Sequence, residues 1–112
     1  CLNDMYVYHY SDRLFKVLKP QKAKHSYTKT YAIPLLYLYK NRKDREFFIP
    51  NSYLYVCKIK KSELFDLKKF KGIVLNVDDF LIELKRNGWK GILDDNKIYY
   101  FEMLALFFLI QI

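Results

Sequence analysis

The sequence has little of several residue types, and each shortage excludes a class of protein. Three Gly and three Pro in 112 residues exclude collagen-like and low-complexity chains. The two Cys, Cys1 and Cys57, are too few for a disulfide scaffold, and neither belongs to a Cys-x-x-Cys or Cys/His cluster that would bind zinc. We expect Cys57, which lies in an apolar segment, to be a buried reduced thiol.

Long hydrophobic runs are also missing. The longest uninterrupted apolar run, residues 103–110, is far shorter than the roughly 20 residues that a membrane-spanning helix needs. The first residues contain no apolar leader segment. With 52% hydrophobic and 19% aromatic residues, the chain can still build a real core. We therefore expect one cytoplasmic domain over residues 1–112, without membrane contact.

The charge is strongly positive and unevenly distributed. The formal net charge is +8, and residues 1–50 hold ten basic and four acidic side chains against ten and eight in the remainder. Such a surplus attracts phosphates, so the basic 1–50 half is a candidate nucleic-acid surface. The lysines are scattered rather than aligned on one helix, which favours the alternative of a solvated, solubilising surface.

The pattern predicts an α+β fold, with a small mixed or antiparallel sheet and one clear helix. Strands are predicted at residues 5–10 and 53–59, which are dense in aromatic and β-branched residues. The helix is predicted over residues 78–87, with acids in its first turn, basic residues in its last and Gly88 after it. Strands at residues 89–93 and 97–101 flank a hairpin turn.

Other segments fit more than one structure. A strand or a short helix can follow Pro34, and residues 62–67 favour a helical turn or a loop. Residues 13–18 are predicted to form a turn. Residues 103–112 are predicted as a final buried strand, or a short helix. If that strand is not central, its apolar surface favours self-association of the chain.

Several motifs resemble those of a known family. YHYS at residues 8–11 is similar to the YHxS opening of ADP-ribosyltransferase-like domains of the diphtheria-toxin and PARP-related type, and LKP at residues 18–20 to the I-x-P that follows it. NGWKGI at residues 87–92 resembles the GYDGI turn and strand. NKIYYF at residues 96–101 resembles the later NExVVF strand, and residues 53–67 resemble the strand between them.

The resemblance implies an NAD-binding protein that transfers ADP-ribose to a host or partner macromolecule, with a protein as the expected target. It implies that His9 contacts the nicotinamide ribose with the support of Ser11, and that Tyr37 or Tyr39 stacks on the nicotinamide ring. A neutral imidazole offers one donor and one acceptor, and a phenol face attracts a cationic ring. His9 as a core histidine, and the two tyrosines as a packed strand face, are the structural alternatives.

The sequence lacks the family's catalytic Glu at the expected position. Lys97 stands where the family has a Glu, and a lysine would oppose the positive charge that develops at the anomeric carbon. Asp95 and Glu102 are the candidate replacements. Two alternatives follow: a small viral or mobile-element protein without enzyme activity that binds and inhibits a host protein, and a basic nucleic-acid-binding domain.

Overall fold

Seven strands form one mixed sheet in the computed structural model, which describes residues 3–11, 13–21, 33–41 and 53–111. The strands are β1 Asp4–Ser11, β2 Leu36–Tyr39, β3 Tyr53–Lys60, β4 Leu64–Asp66, β5 Gly91–Asp94, β6 Lys97–Tyr100 and β7 Phe107–Gln111. Their order across the sheet is β4-β5-β6-β2-β1-β3-β7. The helix α1 spans Val77–Arg86. This architecture confirms the α+β prediction.

Strand β1 lies inside the sheet and is paired along its whole length with β3. All neighbouring strands are antiparallel except β4 and β5, which run parallel because α1 lies between them in the chain. Alternation along β1 and β3 sends Val7, Tyr55 and Cys57 to one face, where each is fully buried. The prediction of a buried Cys57 thiol is confirmed.

The two faces of the sheet are covered by different parts of the chain. The face that carries Val7, here called the inner face, is covered by the irregular segments 13–18 and 103–106. Leu18 and Leu104 join these segments through two backbone hydrogen bonds of 2.9 Å. The other face, the outer face, receives α1 over β4, β5 and β6. There Leu81 and Leu84 pack with Leu35, Ile92 and Phe101.

Local sequence signals explain both ends of α1. The Asn76 side chain accepts a hydrogen bond of 3.1 Å from the Asp79 backbone N–H and so caps the first turn. Gly88 has a φ of +93°, the left-handed conformation that ends helices and favours glycine. The predicted helix is confirmed, with its observed bounds one residue earlier at each end.

The hairpin after α1 is also confirmed. Strands β5 and β6 pair antiparallel from Gly91 with Tyr100 to Asp94 with Lys97. Asp95 has a φ of +57° in the connecting turn, a conformation that short polar residues tolerate.

Two segments differ from their prediction. Residues 62–67, predicted as a helical turn or loop, contain β4, because Leu64 buries its side chain and pairs beside Gly91 of β5. Short 3-10 turns, Lys61–Glu63 and Leu67–Lys69, flank this strand. Residues 13–18 form bends and one bridge. After Pro34 the sequence allowed a strand or a short helix, and the structure shows the strand, β2. The polar composition of residues 21–30 and 40–46 predicts loops, and most of both segments lies outside the described residues.

The apolar C-terminal segment forms an edge strand rather than a buried one. Strand β7 begins only at Phe107 and pairs with β3 on one side, and no other described strand lies on its far side. Phe107 packs against the inner-face core, but Phe108 is 71% exposed and Leu106 is 89% exposed. Burial was predicted from hydrophobicity alone, which does not show how many partners a strand has.

We expect Leu84→Ala to destabilise the fold by about 2–5 kcal/mol, because it truncates a side chain of α1 that packs against the sheet and is only 6% exposed. Leu75→Ala is the matched control, since Leu75 is 94% exposed and the same substitution should cost less than about 0.5 kcal/mol. Urea unfolding at constant m-value measures both. Equal costs for the two variants would contradict this account of the core.

Candidate functional site

The candidate site lies where β1 and β2 separate. Strand β1 has eight residue pairs with β3 but only one with β2, Tyr8 with Tyr39. Beyond Tyr8 the ladder between β1 and β2 ends, so the sheet opens towards Ser11. We call this region the strand opening. His9 is the first residue of β1 inside it.

His9 bridges the strand opening with its side chain. Its Nδ1 lies 2.8 Å from the backbone carbonyl oxygen of Tyr37. A carbonyl oxygen only accepts hydrogen bonds, so Nδ1 carries the proton and donates it. Burial lowers the pKa of His9 below its ordinary value, and the bond to Tyr37 opposes this shift without cancelling it. His9 is therefore neutral at pH 7, with its lone pair on Nε2.

The Nε2 atom of His9 is available to a ligand. In the ranges that the structure describes, Nε2 has no hydrogen-bond partner, and no fully buried side-chain nitrogen or oxygen lacks one. Nε2 is therefore not a fully buried atom. A hydroxyl or amide N–H placed there would donate to a neutral acceptor of fixed orientation.

Tyr55 holds the chain that follows β1. Its ring is fully buried 5.9 Å from the His9 ring. Its hydroxyl donates to the Arg13 carbonyl oxygen at 2.7 Å and accepts from the Phe15 N–H at 2.9 Å. Ser11 Oγ accepts from the Arg13 N–H at 3.2 Å. Alternation in YLYVCKI places Tyr55 on the inner face, but nothing in the sequence indicates these hydroxyl contacts.

The two predicted stacking tyrosines lie on the outer face. Tyr8 and Tyr39 are directly paired and so share a face, which His9, next to Tyr8, does not. The Tyr37 ring packs edge-on against Tyr99 at 5.7 Å, and the Tyr39 ring against Tyr10 at 6.1 Å. A ligand that binds His9 and stacks on Tyr37 must therefore extend across the strand opening.

The two candidate acids lie beyond opposite ends of β6. Glu102 follows Asp95 by seven positions in the sequence, which corresponds to roughly 20 Å of extended chain. Asp95 pairs with Lys68 at 2.9 Å, and both groups are exposed. The hydrogen bond and charge of Lys68 hold the pKa of Asp95 below its ordinary value. Glu102 lies 3.6 Å from the Lys90 ammonium. The structure does not bring these two acids together.

The registers place Glu102, and not Asp95, towards the open end. Leu36 pairs with Tyr100, and Glu102 follows two residues later in the direction in which β1 and β2 separate. Lys97 pairs with Tyr39 at the other end of β6 and shares the outer face with it.

Neither a reactive cysteine nor a metal site is supported among the described residues near His9. The Cys57 thiol is buried, which raises its pKa to about 11 and keeps it protonated at neutral pH. Among the described residues, no group of three or more His, Cys, Asp and Glu is placed to hold a metal ion.

Among the described residues, a cavity lies away from His9. This cavity, of about 620 Å³, runs along β4 and reaches Asn3, the residue before β1. We call it the β4 groove.

Comparison of the chain with protein-family models, with curated protein sequences and with solved structures gives no match. None of the described helices is long and apolar enough to cross a membrane. Function is therefore argued from the residues and their geometry.

The state of His9 predicts a pH dependence of stability. Because the folded-state pKa of His9 lies below its unfolded value of about 6.5, the unfolded chain binds more protons at low pH. The contribution of neutral His9 is fully present above pH 6.5 and is lost as the pH falls through the lowered pKa. Melting temperatures of the wild type and His9→Gln, compared between pH 5 and 8, measure this. A difference between the two proteins that does not change with pH would contradict the assignment.

Proposed function

We propose that the chain is an ADP-ribosyltransferase-like domain that binds NAD at the strand opening. One observation carries the proposal: the Tyr37 carbonyl fixes His9 as a neutral imidazole, whose Nε2 acceptor has no hydrogen-bond partner among the described residues. The motif order of the sequence supports the same family. The proposal concerns binding first, and transfer of ADP-ribose second.

The chemistry of NAD fits this position of His9. A ribose hydroxyl would donate to Nε2, and a neutral imidazole, unlike an imidazolium, does not repel the cationic nicotinamide ring. The segment after β1 carries Arg13, Lys16 and Lys19, all exposed. These cations would attract the diphosphate of NAD.

Transfer needs a carboxylate near the anomeric carbon. In that reaction the glycosidic C–N bond breaks, nicotinamide leaves with the bonding electron pair, and an acceptor nucleophile attacks the same carbon and loses its proton. A carboxylate stabilises the positive charge that develops on the sugar. We assign this role to Glu102, which lies towards the open end, rather than to Asp95, which pairs with Lys68 at the other end of β6. A protein is the proposed acceptor.

NAD binding predicts a rise in thermal stability. At NAD concentrations about 100 times the dissociation constant, binding stabilises by about 2.7 kcal/mol, which raises the melting temperature by roughly 10 °C in a domain of this size. His9→Ala should abolish the shift, and His25→Ala, which removes the second histidine of the sequence, should retain it. No shift in the wild type at millimolar NAD, or an equal shift in His9→Ala, would refute the proposed site.

The same proteins separate binding from transfer. Glu102→Gln should keep the NAD-induced shift and lose transfer of labelled ADP-ribose, whereas Asp95→Asn should keep both. A wild-type protein that binds NAD without transferring it would leave a binding domain in which Lys97 has replaced the acid.

A second candidate function, protein binding without catalysis, is favoured by the exposed edge of β7. The strand carries Phe108 and Leu109, which are 71% and 45% exposed, and residues 103–112 contain no charged side chain. Natural edge strands usually carry charges or bulges that prevent pairing with another chain. The proposed partner is a second copy, because an uncharged strand can pair antiparallel with itself without repulsion.

Self-association predicts a concentration-dependent mass in sedimentation equilibrium. Phe108→Lys places a charge on the exposed side of the edge and should give a monomer at all concentrations. Ile73→Lys is the control, since Ile73 is 85% exposed away from β7 and its substitution should leave the association unchanged. A monomeric wild type would exclude pairing between copies.

A further inference from the structure

The β4 groove has the size and the apolar floor of a ligand site. Its volume of about 620 Å³ lies within the range of about 300–1,000 Å³ that small-molecule sites occupy. Apolar side chains form much of its lining, namely Leu64, Phe65, Phe70, Trp89 and Leu93. None of these residues was singled out as functional from the sequence.

The rim of the groove is positively charged. Lys61, Lys69 and Lys71 line it, and none of the three forms an ion pair within the described ranges. The acid that lines it, Asp66, accepts a hydrogen bond of 3.1 Å from the Lys68 backbone N–H. Three cations against one acid leave a local surplus of positive charge, which attracts an anion.

Three aromatic rings stand together under this rim. Phe65 contacts Phe70 and Trp89 edge-on, with ring centroids 5.6 and 5.4 Å away. The Phe70 ring lies against the backbone of Gly72, where an added Cβ would come within 2.5 Å of its Cζ. All three rings are partly exposed. They offer flat, apolar surfaces on which a planar ring can pack.

One end of the groove is held by a reciprocal pair of hydrogen bonds. The Asn3 side chain donates to Ser62 Oγ at 2.9 Å and accepts from the Ser62 N–H at 3.0 Å. These bonds tie the chain before β1 to the 3-10 turn before β4. The groove wall thus joins segments that are 59 residues apart in the sequence.

We propose that the β4 groove binds single-stranded nucleic acid, with bases packed on the aromatic floor and phosphates held by the rim lysines. Interleaved rings and cations are the features that sequence-tolerant single-strand binding needs. An acidic peptide would satisfy the lysines but would leave the rings without planar partners. The groove does not include His9, because Asn3, where the groove meets the start of β1, lies six residues before His9, which is roughly 20 Å of extended strand. Its lysines and aromatic rings all lie outside the basic 1–50 half, the other candidate nucleic-acid surface.

The single Trp of the chain reports directly on this groove. Trp89 lines it, so a bound oligonucleotide should quench the intrinsic tryptophan fluorescence. We expect titration with a 12-nucleotide oligothymidine to quench this fluorescence to saturation. The binding affinity taken from the titration should fall as the salt concentration increases. His9→Ala should bind the oligonucleotide as well as the wild type does, whether or not it has lost NAD.

Paired charge variants locate the phosphate contacts. Lys69→Ala with Lys71→Ala should weaken binding tenfold or more and reduce the slope of log affinity against log salt by about 1.4, or about 0.7 for each lost phosphate contact. Lys68→Ala with Lys85→Ala removes the same charge outside the groove lining and should change affinity less than about threefold. Unchanged melting temperatures show that all variants fold.

Three results would overturn the proposal. The first is an absence of oligothymidine binding at low salt. The second is binding that does not quench Trp89, or that both double variants weaken equally, which would indicate a diffuse attraction to the basic surface. The third is equal affinity and equal quenching with inorganic polyphosphate, which has no bases and would show that the rings play no part.

Discussion

The full-length pairing of β1 with β3, set against its single pair with β2, is the constraint on which the rest of the molecule depends. It places the buried Val7, Tyr55 and Cys57 on one face and so fixes the inner core. It also leaves the other edge of β1 open beyond Tyr8. The His9 imidazole then donates across this gap to the Tyr37 carbonyl, where a strand ladder would otherwise supply the hydrogen bond.

Local signals made much of the fold predictable. The strand at 53–59, the helix with its Asn76 cap and Gly88 end, and the β5–β6 hairpin all follow from patterns of a few residues. Strand β4 escaped prediction because its three residues become a strand only through parallel pairing with β5, which α1 brings about. The exposure of β7 was not predicted either, because it also depends on which strands pair. Hydrophobicity indicates a strand, but pairing partners decide whether it lies at the centre or the edge.

The candidate site was predictable only in part. The YHYS motif predicted His9 and Ser11 as site residues. The tautomer of His9, however, depends on the Tyr37 carbonyl, 28 residues away in the sequence. Alternation could have shown that His9 and Tyr8 face opposite ways, but the face of Tyr37 depends on the register between β1 and β2. The β4 groove was not foreseen at all, because its rings and lysines converge only after β4 and α1 have folded.

The strand order also bears on how the chain folds. Strands β4, β5 and β6 with α1 lie within residues 64–100, and the pairings of β4 with β5 and of β5 with β6 stay within this segment. The pairings of β2 with β6 and of β3 with β7 instead join residues that are fifty or more positions apart. Loop closure costs entropy that distant contacts must offset, so local units tend to form first. The α1 unit would then act as the template on which the half of the sheet that contains His9 is completed.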